Sequence, residues 1–246
     1  WARLGARGVG RQRAAAHADW SSADFSRALF GAGSRGRARV TQVIAVCVAA
    51  PATRRAFAAA VRAATGRPPS FCRSAAEAAG VRNGYRAVWR LGADRWVALV
   101  GARAVVGPRA VIVADVGTAT TLDLLDASGR HRGGAILPGP QLMIDALLRD
   151  TGGIRRRAAA GAMRGRRLFA RDTAAALAAG ALHGTAGAIE RALREARAEL
   201  DARSVLLLLT GGAAASVAPL LRTRARLVPD LVLQGLAALA SAQARV

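Results

Sequence analysis

An acidic residue at the end of an apolar strand, followed by a glycine and a hydroxyl, is one way to hold phosphate. Asp115-Val-Gly-Thr118 has that form, inside the stretch Val113–Asp123, VADVGTATTLD. Gly117 would let backbone N–H groups approach phosphate oxygens. Thr118 would add a hydroxyl donor, and Asp115 would hold a cation against the phosphate charge. The same residues also suit a plain hairpin turn. Gly133-Gly-Ala-Ile-Leu-Pro-Gly139 places glycines on both sides of an apolar strand that feeds a helix. It suits close approach of backbone to a ligand, or a strand with flexible ends. In Gly92-Ala-Asp-Arg95 a carboxylate and a guanidinium adjoin at a helix start. Asp94 is a candidate general base and Arg95 a bidentate anchor for a substrate carboxylate. The alternative is an Asp favoured by the helix dipole beside a solvent-facing Arg. Thr210-Gly-Gly212 offers a flat backbone surface for a nucleotide base or ribose, or an ordinary strand–helix turn.

These groups need elements to position them. The spacing predicts a strand tail at Trp1–Leu4, a helix at Asp24–Phe30 and a strand at Val40–Val48. Helices are expected at Pro51–Thr65, Ser74–Gly80 and from Leu91 to about Ala104. Gly31-Ala-Gly-Ser-Arg-Gly36 matches Gly-x-Gly-x-x-Gly but follows a helix and precedes a strand, the reverse of a dinucleotide fold, so it reads as a loop. Gly107-Pro108 marks a boundary, dividing a lobe at 1–108 from one at 109–246. Beyond it, Ala110–Ala114, Thr121–Leu125 and Gly134–Leu137 form a strand meander. Helices follow at Pro138–Asp150 and at Thr173–Leu200, the latter interrupted around Gly180–Gly187. A strand at Ser204–Thr210 and helices at Ala213–Leu221 and Pro229–Ala240 complete an α/β pattern.

The chain has 246 residues and a net charge of +22. All its basic residues other than histidine are arginine. Without lysine there is no Walker A loop, no protein-kinase strand lysine and no Schiff base. The arginines are scattered, which attracts anions at low salt but does not make a specific nucleic-acid reader. Cys47 and Cys72 read as structural thiols with no disulfide framework. His17, His131 and His183 stand apart, which argues against a histidine metal site. The longest strongly apolar run, Val205–Leu209, is too short to cross a bilayer. A cytoplasmic protein with no membrane partner is expected.

Taken in order, the motifs are more specific than any one of them. They run Asn-Gly-Tyr85, Leu-Gly-x-Asp-Arg-Trp96, Asp-x-Gly-Thr-Ala-x-Thr-x-Asp123, Gly-Gly-x-Ile-x-Pro-Gly139, Arg-Asp-Thr173, Leu-Thr-Gly-Gly212 and Pro-Asp-Leu-Val-Leu-x-Gly-Leu236. The chain resembles the type III pantothenate kinases, members of the acetate kinase, sugar kinase, Hsp70 and actin superfamily, from about Val40 to Leu239. The resemblance implies two ribonuclease-H-like (actin-like ATPase) lobes with a nucleotide cleft between them. It implies transfer of the ATP γ-phosphoryl group to the primary hydroxyl of pantothenate, with Mg2+ and a monovalent cation, potassium or ammonium. Tyr85, Gly92, Ala93, Asp94, Arg95 and Thr173 would line the pantothenate site, with Asp94 as base. Gly117, Thr118, Gly211 and Gly212 would bind ATP, and Asp115 the monovalent cation. A homodimer is implied.

The sequence departs from the family's pattern at its start. The family opens with a first phosphate motif, Asp-x-Gly-Asn-Thr, and residues like Trp1-Ala-Arg-Leu4 follow it. This motif is absent from the sequence, so a truncation of about one strand is expected, with weak activity and poor folding. A proline usual between Tyr85 and Leu91 is also absent, and Gln234 stands where a glutamate is common. The competing readings are a non-catalytic accessory or regulatory relative, an inactive fragment, and a basic protein associated with nucleic acid.

Overall fold

The computed structural model describes residues 1–5, 8–15, 19–31, 40–158 and 167–243. His17 and residues 32–36 of the glycine-rich loop lie outside them. The chain divides into two compact units, Trp1–Val105 with Val232–Val246, and Val106–Leu231.

In the first unit the strands are short and the helices carry the packing. Two-residue strands β1 (Leu4–Gly5) and β2 (Gly8–Val9) pair antiparallel. Helix α1 (Ser22–Phe30) opens on a capping box, in which Ser21 Oγ accepts from the Asp24 N–H and the Asp24 carboxylate accepts from the Ser21 N–H. Strand β3 (Ile44–Ala45) precedes α2 (Pro51–Thr65), which has Pro51 in its first turn and a left-handed Gly66 at its end. Among the described residues β3 pairs only with β4 (Ser70–Phe71), and the long strand expected at Val40–Val48 contracts to the two residues in that ladder. Phe57 of α2 lies 5.6 Å from Phe25 and 5.9 Å from Phe71, ring centre to ring centre, tying α1, α2 and β4 together.

Ser74–Gly80 is not a helix. Glu77–Ala78 (β5) and Val81–Arg82 (β6) form a small antiparallel hairpin. Its turn residues Ala79 and Gly80 both have positive φ, 48° and 75°. That is the geometry of a two-residue hairpin turn, and it overrides the helical preference of four alanines. After a 3-10 turn at Val88–Arg90 comes α3 (Ala93–Val106), whose Trp96, Val97, Leu99 and Val100 are buried.

The second unit is built on one five-stranded sheet. β7 (Val111–Val116), β8 (Ala119–Leu125) and β9 (His131–Pro138) form an antiparallel meander. Helices α4 (Pro140–Asp150), α5 (Gly152–Ala158) and α6 (Thr173–Glu199) follow. The chain then adds β10 (Leu206–Thr210) parallel to β7 on its free side, and after α7 (Ala214–Val217) it adds β11 (Arg226–Leu227) outside that. The order β11-β10-β7-β8-β9 has the first strand of the meander at its centre. This is the ribonuclease-H-like arrangement that the resemblance implies. Helix α8 (Leu231–Gln243) carries the chain back to the first unit. There, a β-carbon on Gly235 would come within 2.9 Å of the Val97 side chain of α3.

Helix α6 runs without the interruption expected around Gly180–Gly187. Three glycines in a helix interior cost about 1 kcal/mol each relative to alanine. Gly180, Gly184 and Gly187 lie on the exposed side, while Ala186, Ile189 and Leu193 pack against Ile112, Ala114, Leu122, Leu207 and Leu209 of the sheet. Burial of that face outweighs the propensity penalty. Among the described residues, no helix is long and apolar enough to cross a membrane.

Candidate active site

The sequence-predicted residues fall into three groups, one in the first unit and two in the second.

In the first unit the group forms where the hairpin and 3-10 turn lead into α3. Asn83 shapes the approach: its Oδ1 accepts from the Tyr85 N–H at 2.9 Å, and its Nδ2 donates to the carbonyls of Ala75 and Val88. Ser74 Oγ donates to the Leu91 carbonyl at 2.7 Å, which fixes the residue before Gly92. Ser74 carries no sequence signal of this role, whereas Asn83 opens the Asn-Gly-Tyr85 motif. Asn-Gly is a turn pair whose side chain bonds backbone two residues on. Asp94 sits in the first turn of α3, and its Oδ1 accepts from the N–H of Arg95 at 2.9 Å. A β-carbon on Gly92 would lie 2.6 Å from that same oxygen. Gly92 therefore makes room for the carboxylate to fold back over the helix start. Arg95 is buried, and its Nη1 donates to the Tyr85 hydroxyl at 2.9 Å. The reading of Arg95 as a solvent-facing residue is ruled out by that burial.

In the second unit a group assembles at the carboxyl ends of β7 and β10. Asp115 is the fifth residue of β7, directly beside Thr210 of β10 and opposite Thr121 of β8. The turn Gly117-Thr118 follows, with the Gly117 N–H donating to the Ala119 carbonyl at 3.1 Å. Two other junctions close on it. Gly211 follows β10 with φ of 90°, and a β-carbon there would collide with Asp115 Oδ1 and lie 2.6 Å from the Val116 carbonyl. The Val116 carbonyl accepts from the Ala213 N–H at 2.9 Å. From the opposite side, the Gly139 N–H donates to the Thr118 carbonyl at 2.8 Å. Asp115, Gly117, Thr118, Gly139 and Gly211 thus share one locus. Thr118, Gly211 and Gly212 are exposed there, so a ligand has access. The oxygens available, one carboxylate and neighbouring backbone carbonyls, are hard donors suited to an alkali or alkaline-earth cation. Among the described residues, no group of three or more His, Cys, Asp or Glu side chains is placed to share a metal ion.

The third group holds Thr173 apart from this locus. Thr173 begins α6, after Asp172 caps the helix by accepting from the Ala175 N–H at 2.9 Å. It lines an open groove of about 600 Å³ with Met143, Ile144, Leu147, Ile154 and Leu177. The walls are apolar apart from the Thr173 side chain.

One polar pair was not anticipated. His131 Nε2 lies 2.9 Å from Asp123 Oδ1, with both side chains buried. Asp123 shares a sheet face with Thr121 and Asp115, inside the motif that opens with Asp115. In sequence the histidine stood alone, because the bulge that aligns it with β8 is a tertiary feature.

Comparison with known proteins gives a consistent result. The family model described as type III pantothenate kinase matches residues 2–195. A protein of Azoarcus sp. (strain BH72) named type III pantothenate kinase is 39% identical over 224 residues, covering 86% of this chain and 82% of its own. One of Halorhodospira halophila with the same name is 39% identical over 221 residues, covering 90% and 85%. A third, of Aromatoleum aromaticum, is 44% identical over 200 residues, covering 81% and 78%.

Proposed function

The chain belongs to the type III pantothenate kinase family, and from that premise we propose how its residues divide the work. The activity is ATP-dependent phosphorylation of pantothenate to 4'-phosphopantothenate, the first step toward coenzyme A. The pantothenate hydroxyl oxygen attacks the γ-phosphorus and forms the new P–O bond. The bond from that phosphorus to the β-bridging oxygen breaks, ADP leaves, and the hydroxyl proton passes to Asp94. Phosphoryl transfer of this kind depends on positioning and charge neutralisation more than on covalent help.

The observation that carries the assignment of roles is the convergence of Asp115, Gly117-Thr118, Gly139 and Gly211 at the ends of β7 and β10. Gly117 and Thr118 take the ATP phosphates, and Gly211-Gly212 the nucleoside side. Asp115 holds a monovalent cation, and the singly charged oxygen set around it favours potassium or ammonium. Mg2+ travels with the nucleotide. In the first unit, Asp94 is the base, Gly92 and Ala93 give it space, and Arg95 anchors pantothenate with Tyr85 beside it. Thr173 adds a hydrogen bond to the substrate. The two compact units are the two lobes of the family fold. A homodimer and a cytoplasmic setting belong to the same reading and rest on family membership alone.

The test is an ATP-coupled assay with pantothenate, in potassium against sodium. ADP release that depends on pantothenate and on potassium is expected. Nucleotide hydrolysis indifferent to pantothenate would remove the substrate assignment.

A further inference from the structure

The glycines at the phosphate turn do different jobs, and the space around each separates them. A β-carbon on Gly133 or Gly212 would meet nothing within 4 Å. Those positions are open. Gly139 is the reverse case. Its φ is −71° and its ψ 163°, a conformation any residue adopts, so the backbone itself makes no demand for glycine there. The demand is for room. A β-carbon at 139 would run into the carbonyl oxygen of Gly117, and would lie 2.7 Å from that of Thr118. The Gly139 N–H meanwhile donates to the Thr118 carbonyl at 2.8 Å. The close approach that glycine permits is to the turn itself, not to a ligand. Gly139 is buried, and the next residue, Pro140, starts α4 with its own φ restricted. The turn is thereby held against the fixed start of an 11-residue helix.

We propose that Gly139 is a positioning residue for ATP, acting through the carbonyls of Gly117 and Thr118 to set the phosphate turn. This rests on the reading of Gly117-Thr118 as the turn that takes the ATP phosphates. The neighbours that would have to yield to a side chain are backbone atoms, so the turn moves rather than a rotamer. A misplacement of about 1 Å at such a site can cost about 100-fold in rate. The loss falls on the nucleotide, because pantothenate is assigned to other residues.

The experiment compares the unmodified protein with Gly139→Ala and with Gly184→Ala, a helix position where a β-carbon meets nothing within 4 Å. MgATP affinity is measured by calorimetry without pantothenate, and KM is measured for each substrate. For Gly139→Ala, MgATP binding and KM for ATP should both weaken about tenfold or more, with KM for pantothenate within about twofold. Gly184→Ala should leave all three unchanged. Unaltered MgATP affinity in Gly139→Ala overturns the proposal, as do equal losses for both substrates with a fall in Tm. Should Gly139→Ala not fold, amide exchange at Gly139 in the unmodified protein decides. Slower exchange on adding MgATP supports the proposal, and unchanged exchange overturns it. Failure of the kinase reading is distinguishable. Protein that binds MgATP without phosphorylating pantothenate sinks that reading, while the affinity comparison still decides the role of Gly139.

Discussion

Arg95 donates from Nη1 to the Tyr85 hydroxyl at 2.9 Å, and its guanidinium carbon lies 5.6 Å from the centre of the Tyr85 ring. The ring and the hydroxyl together orient a buried cation that has several possible rotamers. Tyr85→Phe keeps the ring and removes the acceptor. A hydrogen bond to a charged group is worth about 1.5–3 kcal/mol, and about 1.4 kcal/mol is tenfold. KM for pantothenate should therefore rise about tenfold or more, with KM for ATP within about twofold. A parallel rise in both constants would disprove the assignment of this pair to pantothenate. Arg95→Lys should be no better, because a point charge does not reproduce the planar fork.

Asp94→Asn should lower kcat by about 100-fold to 10,000-fold, the range of a lost general base. The asparagine carbonyl can still accept from the Arg95 N–H, so Tm should hold. Gly92→Ala tests the same group from its other side. With a β-carbon 2.6 Å from Asp94 Oδ1, the carboxylate must turn away. It should reduce kcat in a protein that still carries the carboxylate. Steady-state kinetics with full turnover in Asp94→Asn would remove Asp94 from the reaction.

The carboxylate of Asp115 and the backbone of Gly211 occupy adjoining space. Gly211→Ala combines that collision with a φ of 90°, so a stability loss of about 1–3 kcal/mol is expected. Asp115→Asn should fold normally and lose its preference for potassium. Thermal denaturation in matched potassium and sodium chloride reads this without turnover. A higher Tm in potassium is expected for the unmodified protein and no difference for Asp115→Asn. An equal potassium effect in both proteins would dissociate Asp115 from the cation.

Asp126 gives a prediction for acid stability. Partial burial raises its pKa, but hydrogen bonds from the Ser128 hydroxyl and the Arg130 N–H, together with the Arg132 guanidinium, outweigh that and hold it below the ordinary value. A carboxyl depressed on folding stabilises above its unfolded pKa of about 4, and that contribution disappears as pH falls through the folded value. Asp126→Asn should therefore be less stable than the unmodified protein at neutral pH, with the gap closing in acid. Urea midpoints at about pH 7 and about pH 3 measure it. A constant gap would mean the carboxylate charge contributes nothing.

Much of the second unit is legible in sequence. The meander at 111–138 announces itself through short apolar runs separated by Asp-x-Gly and Asp-Ala-Ser-Gly turns, because both signals are local. β7 starts one residue later than expected and ends two later, β8 starts two residues earlier, and β9 extends at both ends, since ladder pairing carries a strand past its apolar core. Helix α2 matches its predicted span, marked by Pro51 and Gly66. The errors share one cause. Ser74–Gly80 reads as a helix that stops at Gly80, and Thr173–Leu200 as a helix interrupted at its glycines, because both readings weigh glycine as a helix breaker. In the first, Ala79 and Gly80 turn the chain into a hairpin; in the second, burial of one face of α6 against the sheet decides.

The sequence by itself determined the chemistry on offer. It set the order of the motifs, the absence of lysine, and the residue types at Asp94, Arg95, Asp115 and Thr118. Those are properties of single residues and of short spacings, which a linear reading can see. Only the tertiary structure decided what each glycine is for. Gly139 is 21 residues beyond Thr118 in the chain, yet its N–H meets the Thr118 carbonyl at 2.8 Å. Gly211 lies farther still along the chain and faces Asp115 because β10 aligns beside β7. Such contacts depend on strand register, and register is set by the burial of whole sheet faces rather than by the residues that meet.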